Sequence, residues 1–121
     1  MHCLEVLTIA AVNGAVIGAG FDHATMCYIA NDDAVFGSTF VNLGIVPADG
    51  GAWFLQDLLG PQRAAELIFT GRLVRAEEAL RLGIVLDIAA AYELRAQALQ
   101  LAATIAGKPP LLRHFGSSSG C

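Results

Sequence analysis

A glycine-rich segment ahead of an acidic residue is the part of the sequence best suited to chemistry. Gly18-Ala19-Gly20 places closely spaced backbone N–H groups before a predicted helix, where they can hold an anion or a developing oxyanion. Asp22 is the carboxylate adjacent to this turn, and a carboxylate beside an oxyanion site can move a proton α to a carbonyl. In the alternative interpretation, the glycines only make the turn and Asp22 only stabilises the start of a helix.

Two other side chains have a similar double interpretation. Asp49, in the turn Pro47–Gly51, is either an acid or base or the N-cap of the following helix. His23 is either a proton carrier or an ordinary helix-surface or core histidine. A dinucleotide-binding site is the weaker prediction, because His23 stands where the third glycine of that fingerprint belongs, and no Walker A lysine follows.

Composition and charge exclude several classes of protein. The 121 residues suit one domain, and the 55% of hydrophobic residues predicts that part of its surface packs against something else. The net charge of −4 argues against nucleic acid as a partner. The apolar stretch Val6–Phe21 is interrupted by Asn13 and by glycines, which predicts that it does not span a membrane.

The cysteine pattern predicts free thiols and no metal site. The three cysteines are odd in number and form no C-x-x-C pair, which argues against a disulfide framework or a zinc site. Free thiols are typical of a reducing compartment, so we expect a cytoplasmic protein.

The order of the predicted elements indicates an α/β fold. A strand over Leu7–Val12, buried on both faces, leads into a turn over Gly14–Gly20 and a helix over Phe21–Cys27. The later pattern predicts, in chain order, strands at Tyr28–Ala30 and Ala34–Phe36, helices at Ala52–Leu59 and Gln62–Phe69, an extended Leu73–Val74, a helix at Ala76–Leu82, a strand at Ile84–Ile88 and a helix at Tyr92–Ala106. The last helix has the clearest amphipathic pattern, with Leu94, Ala98, Leu101 and Ile105 on one stripe.

Five segments in the right order resemble the crotonase, or enoyl-CoA hydratase/isomerase, family. The resemblance extends over residues 4–112 and leaves a Ser-rich tail, residues 113–121, which we predict to be a flexible or foreign segment. The segments that carry it are the strand and glycine turn Thr8–Asp22, the strand Asp33–Gly37, the turn Asn42–Gly51, the helix Leu59–Arg72 and the helix and strand Ala76–Val85.

The resemblance implies a fold, a substrate and a set of site residues. The family fold is a spiral of ββα repeats, of which this chain would be a part lacking the N-terminal repeats, and its members usually assemble as trimers. They bind acyl-CoA thioesters as substrates, need no separate cofactor, and stabilise the thioester enolate with two backbone N–H groups. By the same resemblance, Ala19 supplies one of these N–H groups, Gly18, Gly20, Pro47 and Gly50 contact the substrate, and Asp22 and Asp49 are the candidate acids and bases.

The chain departs from the family pattern at a catalytic position. Hydratases of the family use two glutamates, of which one aligns with Asp22 and the other with Phe40, and a phenyl ring cannot transfer a proton. The strand Cys27–Asn31 also looks two residues shorter than its family counterpart. Two hypotheses therefore stand at this stage: an acyl-CoA enzyme with an isomerase-like reaction, or a non-catalytic remnant or acyl-CoA-binding module that keeps the fold.

Overall fold

The computed structural model describes residues 8–18, 21, 27–45 and 51–109, which form two small sheets with helices packed around them. The strands are β1 (Ile9–Val12), β2 (Ala15–Ile17), β3 (Cys27–Asn31), β4 (Val35–Gly37), β5 (Val74–Arg75) and β6 (Asp87–Ala89). The helices are α1 (Gly51–Leu59), α2 (Pro61–Thr70), α3 (Ala76–Leu82) and α4 (Leu94–Ala106), and a 3₁₀ turn covers Phe40–Leu43.

The first four strands alternate between the two sheets. One sheet has the order β1-β3-β6 and is parallel throughout; the other has the order β2-β4-β5, in which β2 and β4 are parallel and β5 is antiparallel. Each two-strand unit therefore stacks on the next, β1 on β3 and β2 on β4. This arrangement confirms the predicted partial ββα spiral.

The start of the chain is where the sequence-based secondary structure is most in error. The predicted turn over Gly14–Gly20 is wrong for its first part, because Ala15–Ile17 is strand β2. Backbone hydrogen bonds at both ends tie it to β4, from Val35 N–H to the Gly14 carbonyl at 3.2 Å and from Gly18 N–H to the Gly37 carbonyl at 2.9 Å. These bonds join residues far apart in sequence, so local glycine content gives no sign of them.

Strand β1 is shorter and less buried than predicted. It begins at Ile9, and Ala11 is exposed while Val12 is buried, so the strand is not buried on both faces. Within the described strands it is an edge strand, paired only with β3. The predicted helix over Phe21–Cys27 is also wrong at its end, because Cys27 already belongs to β3, while residues 22–26 lie outside the described part.

The helices follow their local signals closely. Pro61 starts α2, where the missing N–H of proline costs nothing, and Gly71 ends it with a φ of 63°. Gly83 ends α3 in the same left-handed conformation, with a φ of 84°. A side chain at Gly71 would also collide with Asn42, whose Nδ2 donates a hydrogen bond to the Gly71 carbonyl at 3.2 Å. Glycine is therefore required here both by the backbone and by the contact with the 3₁₀ turn.

The C-terminal elements are shorter than predicted. The strand expected over Ile84–Ile88 is reduced to Asp87–Ala89, because Ile84 and Val85 are buried in the core without joining the ladder. Helix α4 begins at Leu94 rather than Tyr92. Its predicted apolar stripe packs only partly, since Leu94 is buried while Ala98, Leu101 and Ile105 are half-buried.

The main core lies between the two sheets and helices α1 to α3, and it includes Val12 of β1 and Ala30 of β3. Phe21 and Phe36 are among its largest fully buried side chains, and their ring centroids are 5.9 Å apart at a tilted angle. Phe21 follows the glycine turn and Phe36 lies in β4. This aromatic pair therefore holds Phe21 against strand β4 of the β2-β4-β5 sheet.

An arginine held by two glutamates joins α2 to α3. The guanidinium of Arg72 donates hydrogen bonds to Glu66 at 2.5 and 3.2 Å and to Glu78 at 2.7 and 3.1 Å. Hydrogen bonds from Arg72 are the main reason that the pKa values of both glutamates lie below the ordinary value of 4.5, and the two carboxylates raise the pKa of Arg72.

This cluster predicts a pH-dependent contribution to stability. Because the folded-state pKa values of Glu66 and Glu78 are lowered, their contribution is complete above the unfolded value of 4.5 and is lost as the pH falls through the lower folded values. In Arg72→Gln we expect a free energy of unfolding about 1 kcal/mol below that of the unaltered chain at pH 7, since these pairs are partly exposed and screened. The difference should shrink towards zero as urea unfolding is repeated at pH values below 4.5. A constant difference across that range, or an equal pH dependence in Arg95→Gln on the exposed side of α4, would contradict this assignment.

The described surface exposes many apolar side chains. Phe69 is 72% exposed, Leu43 77% and Leu86 60%. The high hydrophobic content of the sequence is thus partly at the surface, in agreement with the expectation that part of this surface packs against something else. Within the described ranges, no helix is long and apolar enough to cross a membrane.

Candidate functional site

The glycine turn leaves β2 in a conformation that suits glycine. Gly18 has a φ of 62°, in the left-handed region. Its N–H donates to the Gly37 carbonyl at 2.9 Å, and its carbonyl accepts the N–H of Phe21 at 3.0 Å. Ile17 ends β2, Gly18 is a turn residue and Phe21 is helical, which agrees with the predicted start of a helix at Phe21. The turn is thus fixed to the sheet on one side and to the start of the next element on the other.

Strand register determines what faces this turn. The parallel pair β2 and β4 aligns Ile17 with Gly37, so Gly18 and Ser38 are the first residues beyond the carboxyl ends of two adjacent strands. In α/β proteins, ligands bind outside the carboxyl ends of parallel strands. The register therefore brings a second segment, residues 38–40, to the same edge of the sheet as the glycine turn.

Phe40 lies against the turn. Its ring atom Cζ is 3.8 Å from the position that a Cβ on Gly18 would occupy, and its side chain is half-buried. This is the position that the resemblance matches to the second glutamate of the hydratases. The structure thus places Phe40 beside the turn, where it presents an apolar ring in place of a proton-transferring group.

Six of the predicted site residues lie outside the described part of the chain. They are Ala19, Gly20, Asp22, Pro47, Asp49 and Gly50, and His23 also lies outside it. Their roles stay predictions. Gly18 is the predicted site residue whose geometry is described, and Phe40 is the described position of the missing carboxylate.

Ser38 is a polar residue at this edge that the sequence analysis did not identify. It is 1% exposed, and within the described structure its hydroxyl oxygen has no hydrogen-bond partner. Asn31 Oδ1 shares this property, although Asn31 Nδ2 donates to the Asn13 carbonyl at 3.3 Å. One feature of the sequence could have pointed to Ser38 as a site residue: it directly follows a predicted strand and stands two positions before Phe40. Its burial depends on contacts that are distant in sequence.

Other polar groups of the described structure do not form a second site. The groups with shifted pKa values are Glu66, Arg72 and Glu78, which pair with one another and link two helices. Over residues 8–18, 21, 27–45 and 51–109, no cluster of His, Cys, Asp and Glu has the geometry to hold a metal ion.

Comparison with known proteins identifies the family. The family model described as enoyl-CoA hydratase/isomerase matches residues 1–117. The chain belongs to the enoyl-CoA hydratase/isomerase family. A short-chain-enoyl-CoA hydratase of Clostridium acetobutylicum is 40% identical over 113 residues, which are 92% of this chain and 43% of that protein. A probable mitochondrial enoyl-CoA hydratase 2 of Arabidopsis thaliana is 39% identical over 113 residues, which are 92% of this chain and 38% of that protein.

Solved structures of the enoyl-CoA hydratase/isomerase family share the fold of this chain. An enoyl-CoA hydratase/isomerase from Cupriavidus metallidurans gives a TM-score of 0.92 at 33% identity, covering 97% of this chain and 45% of that one. A putative enoyl-CoA hydratase from Thermobifida fusca, solved in complex with CoA, gives a TM-score of 0.88 at 34% identity. The match covers 93% of this chain and 45% of that one. The chain thus spans less than half the length of these relatives, and it contains the glycine turn and the Phe40 segment together.

Proposed function

We propose that this chain is part of an acyl-CoA enzyme that stabilises a thioester enolate with backbone N–H groups. The observation that carries the proposal is that backbone hydrogen bonds hold Gly18 between Gly37 and Phe21 in a chain of the enoyl-CoA hydratase/isomerase family. The N–H of Ala19, the next residue, would supply one donor to the thioester oxygen. Donors held in place before the reaction stabilise developing charge without reorganisation cost, which is why a rigid turn suits this role.

The substrate class follows from the relatives. The relative from Thermobifida fusca was solved with CoA, and the relatives from Clostridium and Arabidopsis are named as enoyl-CoA hydratases. We infer that this chain takes an acyl-CoA thioester as substrate, with Gly18, Gly20, Pro47 and Gly50 among its contacts, and acts in fatty-acid metabolism. The proposal includes a cytoplasmic location and assembly into a homo-oligomer, for which the exposed apolar side chains give support.

The reaction we propose is isomerase-like, with Asp22 as the main acid and base. Phe40 beside the turn leaves no carboxylate at the position of the second hydratase glutamate. Moving a proton between two carbons needs one group that alternately accepts and donates it, whereas adding water by the family's hydratase route uses two. Asp49 is the second candidate for this role.

The test is a binding and turnover measurement on the purified chain. Crotonyl-CoA and acetoacetyl-CoA are titrated calorimetrically, and isomerisation of 3-enoyl-CoA to 2-enoyl-CoA is followed for the chain and for Asp22→Asn. We expect saturable binding, and a loss of turnover of about 10²- to 10⁴-fold in the variant, because removal of a positioned acid or base costs that much. The matched control is Asp32→Asn, in the exposed turn before β4.

Each outcome bears on the proposal. Equal turnover in Asp22→Asn and the unaltered chain would remove Asp22 from the mechanism. Binding without turnover would support the non-catalytic acyl-CoA-binding alternative. Absence of binding, in a sample whose circular dichroism shows it to be folded, would contradict the proposed function of this chain.

A further inference from the structure

The 3₁₀ turn that carries Phe40 is attached to the rest of the described structure at two places. At its start it continues from strand β4. At its other end the Asn42 side chain joins it to helix α2, because Nδ2 donates to the Gly71 carbonyl at 3.2 Å. Backbone hydrogen bonds close the turn itself, from Asn42 N–H to the Thr39 carbonyl and from Ile45 N–H to the Phe40 carbonyl, both at 3.1 Å. Phe40 therefore lies in a short, hydrogen-bonded unit between two attachment points.

The Gly71 carbonyl is an acceptor whose position is set by other contacts. Gly71 ends α2 in the left-handed conformation, and its N–H bonds back into that helix at 3.1 Å. The next residue, Arg72, is held by hydrogen bonds to Glu66 of α2 and Glu78 of α3. The Asn42 side chain is therefore anchored to a part of the chain that does not depend on the candidate site for its position.

The 3₁₀ turn and the end of α2 are packed without space between them. A Cβ on Gly71 would stand 2.7 and 2.9 Å from the side-chain oxygen and nitrogen of Asn42, and 2.8 Å from Val41 Cγ1. These distances are shorter than van der Waals contact, so a Cβ there would push the turn away. At its other contact, Phe40 Cζ lies 3.8 Å from the position of a Cβ on Gly18. A displacement at Asn42 should therefore change the contact between Phe40 and Gly18.

We propose that Asn42 is a positioning residue, whose hydrogen bond to Gly71 holds Phe40 against the glycine turn. This inference rests on the proposed function, which places the reacting thioester at that turn. Gly18 is held on one side by its hydrogen bond to Gly37, and the ring of Phe40 stands on the side where any other residue would have a Cβ. Groups that act in a transition state must keep their geometry closely, so loosening this ring should lower the rate constant of the reaction.

Two glycines that end helices provide a matched pair of variants. Gly71 has a φ of 63° and Gly83 a φ of 84°, so replacement by alanine strains the backbone in the same way at both positions. A Cβ on Gly71 collides with Asn42 and Val41, whereas a Cβ on Gly83 meets no described neighbour within 4 Å. The difference between Gly71→Ala and Gly83→Ala therefore isolates the displacement of the 3₁₀ turn.

Fluorine NMR measures the environment of the ring without any substrate. 4-Fluorophenylalanine is incorporated in place of Phe40 alone, so that the fluorine stands on Cζ, the ring atom that approaches Gly18. We expect the resonance to shift towards that of solvent-exposed fluorophenylalanine in Gly71→Ala and to stay unchanged in Gly83→Ala.

A second variant removes the hydrogen bond directly. Asn42→Asp keeps the shape of the side chain, but a carboxylate cannot donate to the Gly71 carbonyl. Asn42 is exposed, so the new charge stays in contact with solvent and the variant should fold. We expect the same fluorine shift as in Gly71→Ala. Gln100→Glu makes the same chemical change on the exposed side of α4 and should leave the resonance where it is.

Turnover is measured at a temperature at which circular dichroism shows every variant to be folded. The kcat for isomerisation of 3-enoyl-CoA should fall about 10- to 10²-fold in Asn42→Asp and in Gly71→Ala, as a displacement of about 1 Å at a reacting group allows. Gly83→Ala should keep the kcat of the unaltered chain.

The two measurements separate this proposal from the proposed function. Equal resonances in Gly71→Ala and Gly83→Ala, or an unchanged resonance in Asn42→Asp, would overturn the positioning role while the proposed function stands. A shifted resonance with an unchanged kcat would also overturn it, since the ring would then have no part in the reaction. If the folded, unaltered chain turns over no thioester, the proposed function is contradicted and Asn42 positions no catalytic group, whatever the resonances show.

Discussion

Replacing Phe40 with glutamate is expected to raise the rate of crotonyl-CoA hydration by about a hundredfold. Phe40 begins the 3₁₀ turn and its ring lies 3.8 Å from the Cβ position of Gly18, beside the proposed oxyanion site. A carboxylate there restores the second proton-transferring group that the family resemblance assigns to this position, and a positioned general acid or base contributes about 10²- to 10⁴-fold. Since the side chain is only half-buried, the new charge keeps contact with solvent.

The matched control for this substitution is Phe40→Gln. Glutamine has nearly the shape of glutamate but cannot exchange a proton in this way, so its hydration rate should stay at that of the unaltered chain. The measurement is the loss of crotonyl-CoA absorbance with time, at equal protein concentration and after a check that both variants melt alike. Equal rates in Phe40→Glu and Phe40→Gln would show that the position lacks the geometry of a catalytic carboxylate, despite its contact with the turn.

Truncating Phe36 to alanine is expected to lower the free energy of unfolding by about 3–5 kcal/mol. The side chain is fully buried in the core and packs against Phe21 with a centroid distance of 5.9 Å. The loss combines the transfer free energy of the ring with the cavity that the neighbouring side chains fill only in part. It is a large share of the 5–15 kcal/mol that stabilises a typical domain, so urea unfolding followed by circular dichroism should show a greatly lowered midpoint.

The same substitution on the surface provides the comparison. Phe69, in α2, is 72% exposed, and Phe69→Ala should change the unfolding free energy by less than about 0.5 kcal/mol. Because β4 also leads to Gly37 and Ser38, Phe36→Ala should weaken acetoacetyl-CoA binding as well, whereas Phe69→Ala should not. Similar midpoints for the two variants would mean that the aromatic pair is not a main source of stability.

Local chemistry was sufficient to predict the helices that follow the site. Pro61 and Gly71 bound α2, and Gly83 ends α3, because proline tolerates the first helical position and glycine accepts a positive φ at no steric cost. Helix α4 shows the limit of such signals. Its apolar spacing correctly predicted a helix, but the extent of burial depended on which elements it packs against.

The glycine turn was the part of the site that the sequence could predict. Gly18 is a turn residue and Phe21 is helical, as expected, although the strand that ends at Ile17 was not expected. The family resemblance marks Phe40 as a catalytic position from the sequence alone. For Ala19, Asp22 and Asp49 the sequence is still the sole basis, since they lie outside the described residues.

The family, the α/β class, most helix boundaries and a glycine turn ahead of Phe21 could all be predicted from the sequence, because they depend on residue types close together in the chain. By contrast, no local pattern predicted that Ala15–Ile17 is a strand, that Ile17 pairs with Gly37, or that Ser38 is buried next to the end of β4. The physical reason is that strand pairing and burial come from hydrogen bonds and contacts between distant segments. A period of two along a strand shows which residues share a face, but not which strand will lie next to it.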